Sequence, residues 1–174
     1  MKKPPAGRPD GAGLRVLVLR CGFNAHVVEG LTLGCLEALR ELGAGAEDVE
    51  SQEVPGAFEL PLAARVAAQT GRYDAIVALG AVIRGDTDHY EHVARESAAG
   101  LSRVALETGI PVGFGVLTVR EEAQALARCA PGPGNKGAEA ARAALAMVRV
   151  LEALRGRRGG RRRATAPARG RSRG

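Results

Sequence analysis

The sequence predicts an α/β fold, a three-layer α/β/α sandwich on a four-stranded parallel sheet. Three observations predict it. Short apolar runs alternate along the chain with segments of helical period. The runs at 14–19 (Arg15 apart), 75–82 and 111–117 are continuously apolar, as strands covered on both faces are. Each is followed by a segment able to cross over the sheet and return the chain parallel, and such crossovers are right-handed.

The elements follow in order. Leu14–Leu19 (LRVLVL) is too short for a helix and is bounded by Gly22, so it reads as a buried strand. Ala25–Leu42 carries Val27, Val28, Leu31, Cys35, Leu36 and Leu39 at helical spacing and stops at Gly43. Val49–Val54 is a weaker strand, broken by Pro55-Gly56. Phe58–Gln69 is a helix ending near Gly71. Ala75–Val82 (AIVALGAV) is the third strand. Asp88 followed by Glu91 resembles a capping box, opening a helix to about Glu107. Pro111–Leu117 is the fourth strand, Glu121–Cys129 a short helix and Gly137–Leu154 a long Ala-rich one. The arrangement is flavodoxin-like, with one folded domain at 14–155 between a flexible Pro/Gly-rich arm (1–13) and a disordered Arg/Gly-rich tail (156–174).

Composition narrows the function classes. The 174 residues suit one domain, and 45% hydrophobic with 3% aromatic means that Ala, Val and Leu fill its interior. The net charge of +6 belongs to the tail, because nine arginines and no acid fall at 155–174, leaving residues 1–154 at about −3. A basic nucleic-acid-binding face within the fold is therefore not expected. The tail itself is suited to weak polyanion contact. Cys21, Cys35 and Cys129 have no metal-ligand spacing, and their odd number fits a reducing compartment. The N-terminal lysines precede no apolar core of a signal peptide, and no run approaches a membrane span. The expectation is a soluble cytoplasmic protein.

In open α/β sheets ligands bind beyond the carboxyl ends of the strands. Each unusual cluster here follows a strand. Phe23 either closes the top of the core or offers a ring on which a flat heterocycle stacks. Asn24 is most simply an N-cap, though an amide also reads a pyrimidine edge. Gly56 permits close approach or positive φ, and the amides of Ala57 and Phe58 open a helix. Glu59 complements that helix dipole or accepts from a polyol. Gly85-Asp86-Thr87 precedes the next helix, whose free amides suit a phosphate, while Thr87 or Asp88 equally suits a cap. The carboxylates of Asp86 and Asp88 require a basic partner there, from Arg84, Arg128 or Lys136. His89, read as one turn into that helix, is the acid–base candidate. His26 and His92 have no assigned role, and His89 with His92 lacks further metal ligands. Gly113-x-Gly115 sits inside a strand and is no dinucleotide fingerprint, and no Walker motif occurs.

The segments GFN (22–24), VPGAFELP (54–61), LGAVIRGDTDHYEHV (79–93), GIPVGFGVLT (109–118) and GNKGAEAA (134–141) resemble, in order and spacing, the motifs of the lumazine synthases. The resemblance spans roughly 14–155. It implies a condensation of 5-amino-6-(ribitylamino)uracil with 3,4-dihydroxy-2-butanone 4-phosphate to 6,7-dimethyl-8-ribityllumazine, phosphate and water, with no cofactor or metal. It implies that Phe23 stacks on the pyrimidine, with Asn24 and the backbone near Val82 and Ile83 at its edge. Gly56, Ala57, Phe58 and Glu59 would hold the ribityl chain. Asp86, Thr87 and Arg128 would bind phosphate, and His89 would move protons. Phe114, Arg128 and Lys136 would come from an adjacent copy, so that the site lies between subunits of a pentamer or a sixty-subunit shell. Three departures stand out: Gly22 where the family often has arginine, Asp86 where a small residue is common, and the turn Cys129–Pro133. The alternative reading is a non-catalytic lumazine- or flavin-binding shell whose tail holds polyanions.

Overall fold

The computed structural model describes residues 10–156. Four strands, β1 (Val16–Cys21), β2 (Val49–Val54), β3 (Ala75–Ile83) and β4 (Val112–Val119), form one parallel sheet in the order β2-β1-β3-β4. Five helices surround it: α1 (Ala25–Glu41), α2 (Leu60–Gln69), α3 (His89–Thr108), α4 (Glu122–Cys129) and α5 (Lys136–Leu154). The predicted architecture is the observed one.

Alternation along the strands divides the core into two layers. Val16 and Val18 of β1 join Val77 and Leu79 of β3 under α1, α4 and α5. Leu17, Leu19 and Cys21 face the other way, with Ile76 and Ala78, under α2 and α3. β3 is buried almost end to end because it lies inside the sheet and is covered on both faces. β2 is an edge strand of sequence VESQEV, and its middle is exposed, which is why its signal was weak.

The first strand begins two residues later than expected. Leu14 is buried in the core but precedes the ladder, and the Arg15 amide donates to the Asp74 carboxylate at 2.8 Å instead. Residues 10–13 of the expected arm are tied down by their own chain. The Gly11 amide donates to the Leu42 carbonyl, and Arg149 of α5 holds the Asp10 carbonyl. The rest of the expected arm (1–9) and the tail beyond 156 lie outside the described residues.

The turn between α4 and α5 rests on Asn135, which is 2% exposed. Its Oδ1 accepts from the Ala138 amide and caps α5. Its Nδ2 donates to the carbonyls of Gly30, Cys129 and Ala130. One buried amide thus ties α1, the end of α4 and the start of α5 together, and places Arg128 and Lys136 relative to β4.

Candidate active site

The chain reverses direction across the sheet between β1 and β3. β1 passes to β2 on one side, while β3 passes to β4 on the other. That switch point is where an open α/β sheet leaves a crevice. Pairing between β1 and β3 ends at Arg20↔Leu79, while β3 stays paired with β4 as far as Ile83↔Val119. The strand ends therefore splay, and a crevice of about 450 Å³ opens above them.

Its walls contain Phe23 and Asn24 after β1, Gly56–Glu59 after β2, Val82 and Ile83 at the end of β3, and Thr87 and His89 beyond it. Segments predicted to meet from distant parts of the sequence do meet here. Phe23 is 73% exposed and Phe58 60%, so neither ring closes the core, which decides against the structural reading of Phe23. Asp86 is exposed on the loop but does not line the crevice, although Gly85 and Thr87 on either side do. Gly56 does not take the positive φ that was one of its two readings; what its missing side chain gives is room beside the Glu59 carboxylate.

Two cap readings fail for a common reason. Asn24 stands at the N-cap of α1 and Asp88 at that of α3, yet neither side chain makes a cap hydrogen bond. Asn24 is left-handed (φ 55, ψ 43) and Asp88 has ψ 2, whereas a capping side chain swings over the first turn from an extended backbone. The capping box is thus absent, and α3 begins with amides that no capping side chain fills, a helix end suited to an anion. His89 is the first residue of α3 rather than one turn in, which sets it at the rim with Thr87.

Cys21, Ala81, Tyr90 and Val93 also line the crevice and were missed. Cys21 ends β1 in the same alternating row as Leu17 and Leu19, a signal present in the sequence. Tyr90 and Val93 share a helix face at i, i+3, and the Arg84 guanidinium lies 5.9 Å from the Tyr90 ring centre. The Cys21 thiol is pushed up to about 12, by burial first and by the nearby Glu59 charge second. It stays a neutral thiol at physiological pH and is not a nucleophile. Cys35 and Cys129 are likewise free and buried.

Phe114, Arg128 and Lys136 are not in this crevice. They line a second one, of about 520 Å³, along the outer edge of β4 beside α4 and α5. Arg128 donates to the Gln124 carbonyl at 2.9 Å and forms no ion pair among the described residues, while Lys136 holds Glu139. Arg128 and Lys136 therefore lie away from the switch-point crevice of their own chain. His26 pairs with Glu122 across α1 and α4 at 2.6 Å, and His92 contacts Arg95. Among the described residues no cluster of His, Cys, Asp and Glu is placed to hold a metal, and no helix is long and apolar enough to cross a membrane.

Fold and crevice together define a doubly wound α/β protein with an open crevice at its sheet switch point, the place where this class of fold takes its ligands. The comparisons specify the family. The family described as 6,7-dimethyl-8-ribityllumazine synthase matches residues 13–152, and the chain belongs to it. A synthase of that name from Nitratidesulfovibrio vulgaris (strain DP4) is 45% identical over 148 residues, 85% of this chain and 95% of the relative. One from Yersinia pestis (strain Pestoides F) is 48% identical over 143 residues, 82% and 92% of the two chains. These relatives are named as synthases, which leaves the non-catalytic alternative without support.

Proposed function

We propose that the protein is a transferase of riboflavin biosynthesis, condensing 5-amino-6-(ribitylamino)uracil with 3,4-dihydroxy-2-butanone 4-phosphate to 6,7-dimethyl-8-ribityllumazine. The observation that carries this reading is the meeting of Phe23, Ala57–Glu59, Val82–Ile83, Thr87 and His89 around one crevice. The pyrimidine stacks on Phe23, with its edge toward the backbone of Val82 and Ile83. The ribityl hydroxyls run to the Ala57 and Phe58 amides and to Glu59. The phosphate sits at the N-terminus of α3 with Thr87.

The substrate amine attacks the ketone and forms a Schiff base with loss of water. Loss of the proton from the neighbouring hydroxyl-bearing carbon expels phosphate, the resulting enol tautomerises to a new carbonyl at that carbon, and the ribitylamino nitrogen closes on it with loss of a second water. No step needs a protein nucleophile, in keeping with the neutral Cys21. What the chain supplies is register between two substrates, an anion site and a proton shuttle. His89 is that shuttle. Its substitution by alanine is expected to lower kcat by about 10²-fold, measured as lumazine fluorescence from the two substrates. Turnover within twofold of the parent would remove His89 from the reaction.

The site is shared between copies. The edge crevice of one protomer, with Phe114, Arg128 and Lys136, closes over the switch-point crevice of the next, and Arg128 supplies the cation that Asp86 and Asp88 call for. Head-to-tail contact of two different surfaces closes into a ring. The pentamer, alone or within a sixty-subunit shell, is the assembly proposed. The setting is the reducing cytoplasm, in keeping with three free thiols.

The arginine-rich tail is proposed to make weak polyanion contact. Deleting residues 156–174 should leave turnover unchanged and remove a salt-sensitive retention of the protein on heparin. Retention unchanged by the deletion would place that contact elsewhere.

A further inference from the structure

Phe23 presents a problem of placement. Its ring is 73% exposed, so its own chain offers little packing to orient it. The turn that carries it must do so through the backbone. On the β2 side two hydrogen bonds prolong the ladder past its last paired residues: the Gly22 amide donates to the Val54 carbonyl at 2.8 Å, and the Phe23 amide to the Pro55 carbonyl at 3.1 Å. On the β3 side the ladder has ended at Arg20↔Leu79. There the Asn24 side chain makes the tie, its Nδ2 donating to the Ala81 carbonyl at 2.8 Å across the splayed strand ends. A carbonyl only accepts, so the amide nitrogen must face it.

The backbone of Asn24 is specialised as well. It is the one non-glycine residue with positive φ among the described residues. That region is open to Gly and, among side-chain-bearing residues, chiefly to Asn and Asp. From it the Asn24 carbonyl accepts from the Val27 and Val28 amides and starts α1. The residue therefore turns the chain, starts the helix and bridges to β3 at once.

We infer that Asn24 is a positioning residue for Phe23: its amide is spent on the Ala81 carbonyl, holding the aromatic turn over the crevice, and not on the substrate. This rests on the reading that Phe23 stacks on the pyrimidine. It also leaves the backbone of Val82 and Ile83 as the part of β3 that meets the ring edge.

Asn24→Gly keeps the left-handed backbone and removes the clamp, while Asn24→Asp keeps the shape but turns a carboxylate oxygen on the Ala81 carbonyl. In the full-length assembled protein, each is expected to raise KM for the pyrimidine about tenfold, as the loss of one hydrogen bond would. KM for the phosphate substrate and the thermal midpoint should stay near the parent's. Placed on Phe23→Ala, Asn24→Gly should add less than twofold, because a positioning role vanishes with the group it positions. A full tenfold addition would make Asn24 a direct substrate contact and overturn the inference.

A readout independent of turnover completes the test. The chain has three phenylalanines, so fluorophenylalanine labelling gives three ¹⁹F resonances, and Phe23→Ala assigns one. Asn24→Gly should shift the Phe23 resonance and leave those of Phe58 and Phe114 in place. An unmoved Phe23 resonance overturns the clamp, whatever the activity. If the parent protein forms no lumazine while that resonance still moves, the reading of the crevice fails and the clamp stands.

Discussion

Replacing Gly137 by alanine should leave little folded protein. A Cβ at this position would lie 1.9 Å from the Leu31 carbonyl oxygen and 2.7 Å from its carbon. Both are backbone atoms in the middle of α1, and no rotamer change relieves the overlap. The helices would have to separate, and they are joined along Leu31, Cys35 and Ala38 on one side and Ala138, Ala141 and Leu145 on the other. Separation would also pull Gly30 from Asn135, whose Nδ2 donates to the Gly30 carbonyl. Overpacking of an ordinary core site costs about 1–3 kcal/mol. A clash with rigid backbone belongs above that, at roughly 4 kcal/mol or more. A domain of this size has about 5–15 kcal/mol in total. Gly134 is the control: a Cβ there meets nothing within 4 Å, and its backbone is not left-handed. Thermal unfolding of Gly137→Ala and Gly134→Ala side by side decides the matter. Midpoints within two degrees of each other would show that α1 and α5 give way easily.

The same region shows what a sequence conceals. Alternation of apolar runs with helical periods made the sheet and its five helices legible, because burial of strands and of helix faces dictates residue type at fixed spacing. Conformation at single residues was not legible. Asn24, Asp88 and Asn135 all stand at helix starts and have the chemistry of a cap. Only Asn135 caps with its side chain, because only it combines an extended backbone with partners that the fold brings in, one of them 105 positions away. Residue type says that an amide can bond; the backbone angles and the tertiary neighbours say to what. The same distinction governs the site. Rings, hydroxyls and amides after each strand were legible because the topology sends every strand end to one edge. Arg128 was one of three candidate cations for the phosphate, and only family resemblance singled it out from Arg84 and Lys136, since its own chain carries it to a different crevice.

That separation yields the second large effect. If one site is built from the switch-point crevice of one protomer and the β4-edge crevice of the next, Phe23 and Arg128 serve a site together without sharing a chain. Phe23→Ala removes the stacking ring. Arg128→Ala removes the cation that the β4-edge crevice brings to the phosphate beside Asp86 and Asp88. Each variant alone should lose about 10²-fold or more in kcat/KM, equivalent to roughly 2.7 kcal/mol of transition-state binding. Co-expressed in equal amounts, the two should regain activity. A working site needs an intact Phe23 on one side and an intact Arg128 on the other, so random assembly gives about one site in four with both. Turnover per site should therefore rise to roughly a quarter of the parent's, since the two losses segregate into different sites. The double variant Phe23→Ala/Arg128→Ala co-expressed with the parent separates complementation from simple dilution. It too leaves about one site in four intact, because both neighbours must then be parental. Recovery in the first mixture can come only from sites formed between chains. If the co-expressed single variants stay as inactive as either alone while the parent mixture keeps its quarter, Phe23 and Arg128 act within one chain and the shared site is wrong.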